Sequence, residues 1–129
     1  MMANQKNVLM LLRIVMGLIF ITHGVARLYY WSVPGFGSFL ESQGLPFGFW
    51  IAMVITTGEI LSGALLAFGY FVRYCVAFHA IIIGAGIFMV HLKNGWFVVG
   101  HGTNGVEYSV LILVVLAVLF GTQPHKSFK

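Results

Sequence analysis

Residues 8 to 30 read VLMLLRIVMGLIFITHGVARLYY, an apolar stretch interrupted by Arg13, His23 and Arg27. A helix that crosses a bilayer needs about 20 predominantly apolar residues, and this stretch is long enough. Its length, its basic residues and the lack of a small-residue cleavage pattern after it argue against a signal peptide. The stretch therefore predicts a retained transmembrane helix.

Three more apolar stretches follow, at about residues 49–71, 74–92 and 106–121. The chain is 60% hydrophobic and 8% charged, so it lacks the polar surface of a water-soluble domain. These four stretches use most of residues 1–129, which leaves no room for a separate soluble domain. The sequence predicts an all-α protein, a single integral membrane four-helix bundle.

The connection at residues 31–48 is long and rich in proline, glycine and apolar residues. It is expected to lie across the outer mouth of the bundle, with a short interfacial helix near residues 36–43. Lysine and arginine are concentrated on the side that holds both termini, including Lys126 and Lys129. The positive-inside rule then predicts cytoplasmic termini and an outer position for the long first loop.

Charge and cysteine content exclude several functions. The net charge is +4, but the basic residues are scattered singly through apolar sequence, so no nucleic-acid interface is predicted. Cys75 is the single cysteine, which excludes an intrachain disulfide, a dithiol pair and a multi-thiolate zinc site. No phosphate-binding loop or metal-ligand motif appears, and no metal site is predicted.

Polar residues from all four predicted spans should converge on the outer half of the bundle. They are His23, Arg27, Glu59, His91, Glu107 and Tyr108. At about 1.5 Å of rise per residue, Glu59 falls near mid-membrane and Glu107 falls at the outer boundary. An ionised carboxylate inside a membrane is costly, so we expect Glu59 to be protonated or to face His23 or Arg27. The planar guanidinium of Arg27 can form paired hydrogen bonds with the carboxylate of either Glu59 or Glu107.

Five short motifs occur in order along the chain. They are His23-Gly24 with Arg27-Leu28, Gly44-Leu45-Pro46, Glu59 followed by Ser62-Gly63 and Gly69, Phe88 and His91 with Asn94-Gly95-Trp96-Phe97, and Gly105-Val106-Glu107-Tyr108. Over nearly its whole length the chain thus resembles the DoxX family of small four-span bacterial membrane proteins. The resemblance implies a four-helix bundle in the bacterial inner membrane. It also implies a link to membrane oxidoreductases, such as thiosulfate:quinone oxidoreductase, and to sulfur and thiol redox balance.

Three functions are compatible with these features. The first is a redox-associated subunit, or a quinone-linked membrane oxidoreductase subunit, that binds a quinone or similar small amphiphile in the outer half of the bundle. There His23 and Arg27 would donate to a carbonyl oxygen, and Glu59 or Glu107 would accept or relay a proton. Because Cys75 is the single thiol, electrons would pass to the quinone or to a redox partner protein.

The second function is a non-enzymatic membrane interaction or assembly protein, in which the polar cluster only holds the helices together. The third is a proton-coupled transporter of a small solute, because intramembrane carboxylates and histidines can form proton relays. Four spans are few for alternating access, so the transporter would require a homo-oligomer. In all three cases the lipid bilayer is a partner of the chain.

Overall fold

The computed structural model describes residues 3 to 123, and the regular structure of this part of the chain is entirely helical. Its α-helices are α1 (Ala3–Tyr29), α2 (Val33–Ser42), α3 (Gly48–Phe68), α4 (Val72–Gly86) and α5 (Glu107–Gly121). A π-helical turn, Ile87–His91, and a 3-10 turn, Leu92–Asn94, continue α4. Contacts divide the chain after Tyr70 into two compact units, of which the first contains α1, α2 and α3.

Three helical segments are long and apolar enough to cross a membrane: Ala3–Tyr29, Gly48–Phe68 and Val72–Asn94. The all-α class is thereby confirmed, and a long apolar helix lies at each of the first three predicted spans. The fourth apolar helix, Glu107–Gly121, has 15 residues. At about 1.5 Å per residue it is shorter than the hydrocarbon core of a bilayer. The fourth crossing, the single bundle and the cytoplasmic termini stay predictions, and Lys126 and Lys129 lie outside the described residues.

Small residues bring α1 and α3 into close, antiparallel contact. A Cβ atom added to Gly17 would collide with the carbonyl oxygen of Gly63, and one added to Gly24 would lie 2.8 Å from that of Thr56. Residue numbers thus rise along α1 as they fall along α3. In a membrane, where lipid is as apolar as leucine, such backbone proximity is what allows helices to pack. The contact fixes the relative rotation of the two helices and so the side chains that meet between them.

Residues 33–42 form the short helix α2, which confirms the helix expected near residues 36–43. Pro34 occupies its first turn, where a missing backbone N–H costs nothing. One face of α2 is apolar and buried, with Val33 at 0% and Leu40 at 3% exposure. Because α2 makes its contacts with α3, this buried face attaches the helix to the beginning of α3.

A hydrogen bond and a close backbone approach tie α2 to α3. A Cβ atom added to Gly37 would lie 2.7 Å from the Cα atom of Phe49. The carboxylate of Glu41 accepts a hydrogen bond from the backbone N–H of Gly48, at 3.1 Å. That N–H belongs to the first turn of α3 and has no partner within the helix, so Glu41 acts as its cap.

In the second unit, α4 and α5 are joined at the end where α4 begins. The Arg73 guanidinium donates from Nη2 to the carbonyl oxygen of Gln123, at 3.0 Å, and lies 5.3 Å from the ring centroid of Phe120. A cation near the last turn of a helix is favoured by the helix dipole. Further along, His79 of α4 and Leu116 of α5 are each 1% exposed and lie in the core of this unit.

Candidate functional site

A buried ion pair joins the two membrane helices of the first unit. The Arg27 Nη1 atom of α1 lies 2.6 Å from the Glu59 Oε2 atom of α3. The Glu59 side chain is 7% exposed and that of Arg27 is 18% exposed. A charge-assisted hydrogen bond of this length compensates part of the cost of removing both groups from water. Of the two donors expected for Glu59, the structure places Arg27 beside it.

The hydroxyl of Thr56 completes the polar contact between α1 and α3. Its Oγ1 atom accepts a hydrogen bond from Arg27 Nη1, at 3.0 Å, and donates one to the carbonyl oxygen of Ala52, at 2.7 Å. Thr56 is fully buried. Residues three apart share a helix face, so Thr56 and Glu59 are presented to Arg27 together. Thr56 is absent from the predicted site residues, although its spacing of three residues from Glu59 indicates a shared helix face.

An aromatic ring from α2 covers the arginine. The Cζ atom of Arg27 lies 4.8 Å from the ring centroid of Phe36, which is a cation–π geometry. Phe36 was also missed, because nothing in the sequence indicated which face of α2 would meet α1. The candidate site of the first unit, here called the arginine site, therefore consists of Arg27, Glu59, Thr56 and Phe36.

The arginine site retains hydrogen-bonding capacity. Both hydrogen bonds of the guanidinium leave from Nη1, and among residues 3 to 123 no partner is found for its Nε or Nη2 atom. Guanidinium offers five N–H donors in a fixed plane, so the remaining donors can bind an acceptor from a ligand. The neighbouring carboxylate of Glu59 can accept a proton. These are the groups that a small carbonyl compound would require.

His23 lies one turn before Arg27 on α1 and is exposed. No hydrogen bond of its ring is found within the described part of the chain. Its spacing of four residues places it on the same side of α1 as Arg27, next to the arginine site rather than inside it. Its expected role as a donor to a ligand stays a prediction.

The other predicted site residues lie in the second unit, around the loop of residues 95–106. The Glu107 Oε1 atom accepts hydrogen bonds from the backbone N–H groups of Val98 and Val99, both at 2.8 Å. Glu107 is also the first residue of α5, where a carboxylate interacts favourably with the helix dipole. Glu107 thus binds the preceding loop, which gives it a structural role within this unit.

His91 and Tyr108 flank the same loop. The Nδ1 atom of His91 lies 2.9 Å from the carbonyl oxygen of Asn104. A carbonyl oxygen only accepts hydrogen bonds, so this nitrogen carries the proton, and Nε2 of a neutral ring is left as an acceptor. Tyr108 is 50% exposed. Among the described residues, no group of three histidine, cysteine or acidic side chains could hold a metal ion.

Glu107→Gln is expected to loosen the 95–106 loop. A neutral amide oxygen replaces a carboxylate that accepts two hydrogen bonds, and a bond to a charged group contributes about 1.5 to 3 kcal/mol. Hydrogen exchange of the Val98 and Val99 amides should accelerate about tenfold or more, measured by mass spectrometry of loop peptides. Glu41→Gln, which changes the cap of α3, serves as the control and should leave loop exchange unchanged. Equal exchange in Glu107→Gln and the wild type would contradict the structural role of Glu107.

Comparison with known proteins gives a family for the chain. The family model described as DoxX matches residues 8–92, which include the arginine site and His91 but not Glu107. A Bacillus subtilis (strain 168) protein named "Putative oxidoreductase CatD" is 29% identical over 114 residues, covering 88% of this chain and 79% of that protein. No solved structure matches the chain. Because the model matches more than half of a chain with three helices able to span a bilayer, the protein is a multi-pass membrane protein that belongs to the DoxX family.

Proposed function

We propose that the protein is a redox-associated subunit of the bacterial inner membrane that binds a quinone, or a similar small amphiphile, at the arginine site. One observation carries the proposal. A guanidinium with two nitrogens that have no partner among residues 3 to 123 lies beside a buried carboxylate, between two helices that can each cross a bilayer. Ionisable groups at such a position are costly and are functional candidates for that reason.

The side chains of the arginine site have distinct roles in this proposal. A quinone carbonyl oxygen only accepts hydrogen bonds, and Arg27 donates to it through Nη2 or Nε. Thr56 and Glu59 hold Nη1 and so orient the guanidinium. A quinone takes up protons with the electrons when it is reduced, and the quinol releases them when it is oxidised. In the oxidation the Glu59 carboxylate would accept or relay a released proton. The exposed ring of His23 is a second donor next to the site.

The source of electrons is a partner protein in this proposal. Cys75 is the single cysteine, so the chain itself contains no dithiol that could deliver two electrons. The relative from Bacillus subtilis is named as an oxidoreductase, which supports a redox setting for this family member. A redox partner at the membrane would then reduce or oxidise the bound quinone.

Quinone binding is tested by titrating the purified protein in nanodiscs with decylubiquinone and with menaquinone-4, following quenching of tryptophan fluorescence. The decisive variant is Arg27→Lys, which keeps a cation beside Glu59 but removes the planar fork of donors. Loss of one ligand hydrogen bond should raise the Kd about tenfold. Arg13→Lys, on the same helix but outside the site, is the matched control and should bind as the wild type does. Absence of binding to the wild type, or equal affinity in Arg27→Lys, would refute the proposal.

A further inference from the structure

We infer that the arginine site is closed at its extramembrane end by α2 and is reached sideways from the lipid, so that its ligand is membrane-dissolved rather than water-soluble. The inference deepens the proposed function and rests on it for the identity of the ligand. The closed end is a separate property of the first unit, because it follows from how α2 is attached to α1 and α3.

The closure consists of the Phe36 ring. It lies over Arg27, at 4.8 Å from Cζ to the ring centroid, and it is carried by the helix that follows α1. An aromatic ring on the flat face of a guanidinium excludes water from that face. The charge distribution of the chain predicts this end of α1 and α3 to be the outer one. Water on that side therefore meets Phe36 before it meets the ion pair.

The helix that carries Phe36 is fixed rather than free to open. The apolar face of α2 is buried at Val33 and Leu40. The backbone of α2 closely approaches α3 at Gly37, and the Glu41 carboxylate accepts a hydrogen bond from the first residue of α3. Opening α2 would expose apolar surface and would break a charge-assisted hydrogen bond at the same time. All of these contacts are made by one short helix, so opening α2 would break them together.

The connections on both sides of α2 are short and tightly turned. Trp31, before α2, has a φ angle of 48°, and Gly44 and Phe47, after it, have φ angles of 87° and 62°. A left-handed conformation is unfavourable for an aromatic residue, and it persists where the surrounding structure holds it in place. Short connections of this kind restrict the movement of α2 away from α3.

The sides of the helix pair expose apolar side chains. Within the first unit, Arg27 retains 18% side-chain exposure although Phe36 covers its face. The exposed surface of the helix pair is mostly apolar, as at Val25 and Val54. A ligand that enters here must dissolve in lipid and must present a hydrogen-bond acceptor to Arg27. A quinone has both properties, whereas a hydrophilic solute has only the second.

The closure is tested by thiol reactivity under Phe36. Thr56→Cys in a Cys75→Ala background places a reporter thiol beside Arg27, and a membrane-impermeant quaternary-ammonium methanethiosulfonate is the reagent. Phe36→Ala should raise the modification rate about tenfold, since a buried thiol is inert until it is exposed. Phe39→Ala removes an equal ring from the same helix and should not change the rate. Phe36→Met, which retains bulk, should also leave the rate unchanged, and thermal unfolding confirms that each variant is folded.

Equal rates with and without the Phe36 ring would overturn the inference. A rise caused equally by Phe39→Ala would overturn it as well, because the effect would then belong to α2 as a whole. The assay contains no quinone, so its outcome is independent of the titration that tests quinone binding. A closed end together with absent quinone binding would refute the proposed function and leave the closure by Phe36 in place.

Discussion

Arg27→Gln is expected to destabilise the protein more than removal of both members of the ion pair. The single change leaves the Glu59 side chain, 7% exposed, without its guanidinium partner. Breaking a buried pair in this way costs about 3 to 5 kcal/mol, because one charge stays buried without compensation. In the double variant Arg27→Gln with Glu59→Gln, two neutral amides can bond to each other. The double variant should therefore recover a large part of the lost stability.

Unfolding in detergent micelles, followed by circular dichroism against temperature or increasing sodium dodecyl sulfate, measures this effect. Lys6→Gln is the control, because Lys6 is exposed on the same helix and its loss should change the free energy of unfolding by less than about 0.5 kcal/mol. A positive recovery in the double variant measures the coupling between the two side chains. If the losses of Arg27→Gln and Glu59→Gln simply add, the two residues are not coupled and the ion pair does not hold the helices together.

Gly17→Leu is expected to separate α1 from α3 and to reduce the yield of folded protein. Its Cβ atom would collide with the backbone of Gly63 and would lie 2.9 Å from the Cβ atom of Ala67. Overpacking usually costs about 1 to 3 kcal/mol, and here the obstacle is backbone, which cannot rotate away. We expect the upper end of this range or more. Separation of the helices would also move Arg27 away from Glu59.

The matched control is Gly86→Leu, since a Cβ atom at Gly86 meets nothing within 4 Å. Both changes raise helix propensity by a similar amount, so a difference between them reports on packing alone. Yield of monodisperse protein in size-exclusion chromatography and the midpoint of thermal unfolding are the measurements. The yield and the unfolding midpoint of Gly17→Ala should lie between those of the wild type and those of Gly17→Leu. Equal midpoints for Gly17→Leu and Gly86→Leu would contradict the close approach of α1 and α3.

The apolar helices and the need of Glu59 for a partner were predictable from the sequence. Both follow from the free energy of transferring single residues and short segments from water into a bilayer. An apolar run such as residues 8–30 is helical in a bilayer because its backbone groups must bond within the run. A carboxylate such as Glu59 within a run of this kind requires a partner. The sequence does not identify this partner, because Arg27 could pair with Glu107 as well as Glu59, and His23 could also pair with Glu59.

The choice of partners was decided only by the tertiary structure. Arg27 meets Glu59 and Thr56 because glycines in α1 and α3 set the depth and rotation of the helix pair. Glu107 binds the N–H groups of its own loop, which a sequence pattern does not reveal. The position of Phe36 depends on how α2 attaches to α3. The sequence by itself therefore determined the membrane-spanning helices and the need for a charge partner, which are local properties. Packing between segments distant in sequence decided the partners of Arg27, and the conformation of the 95–106 loop decided those of Glu107.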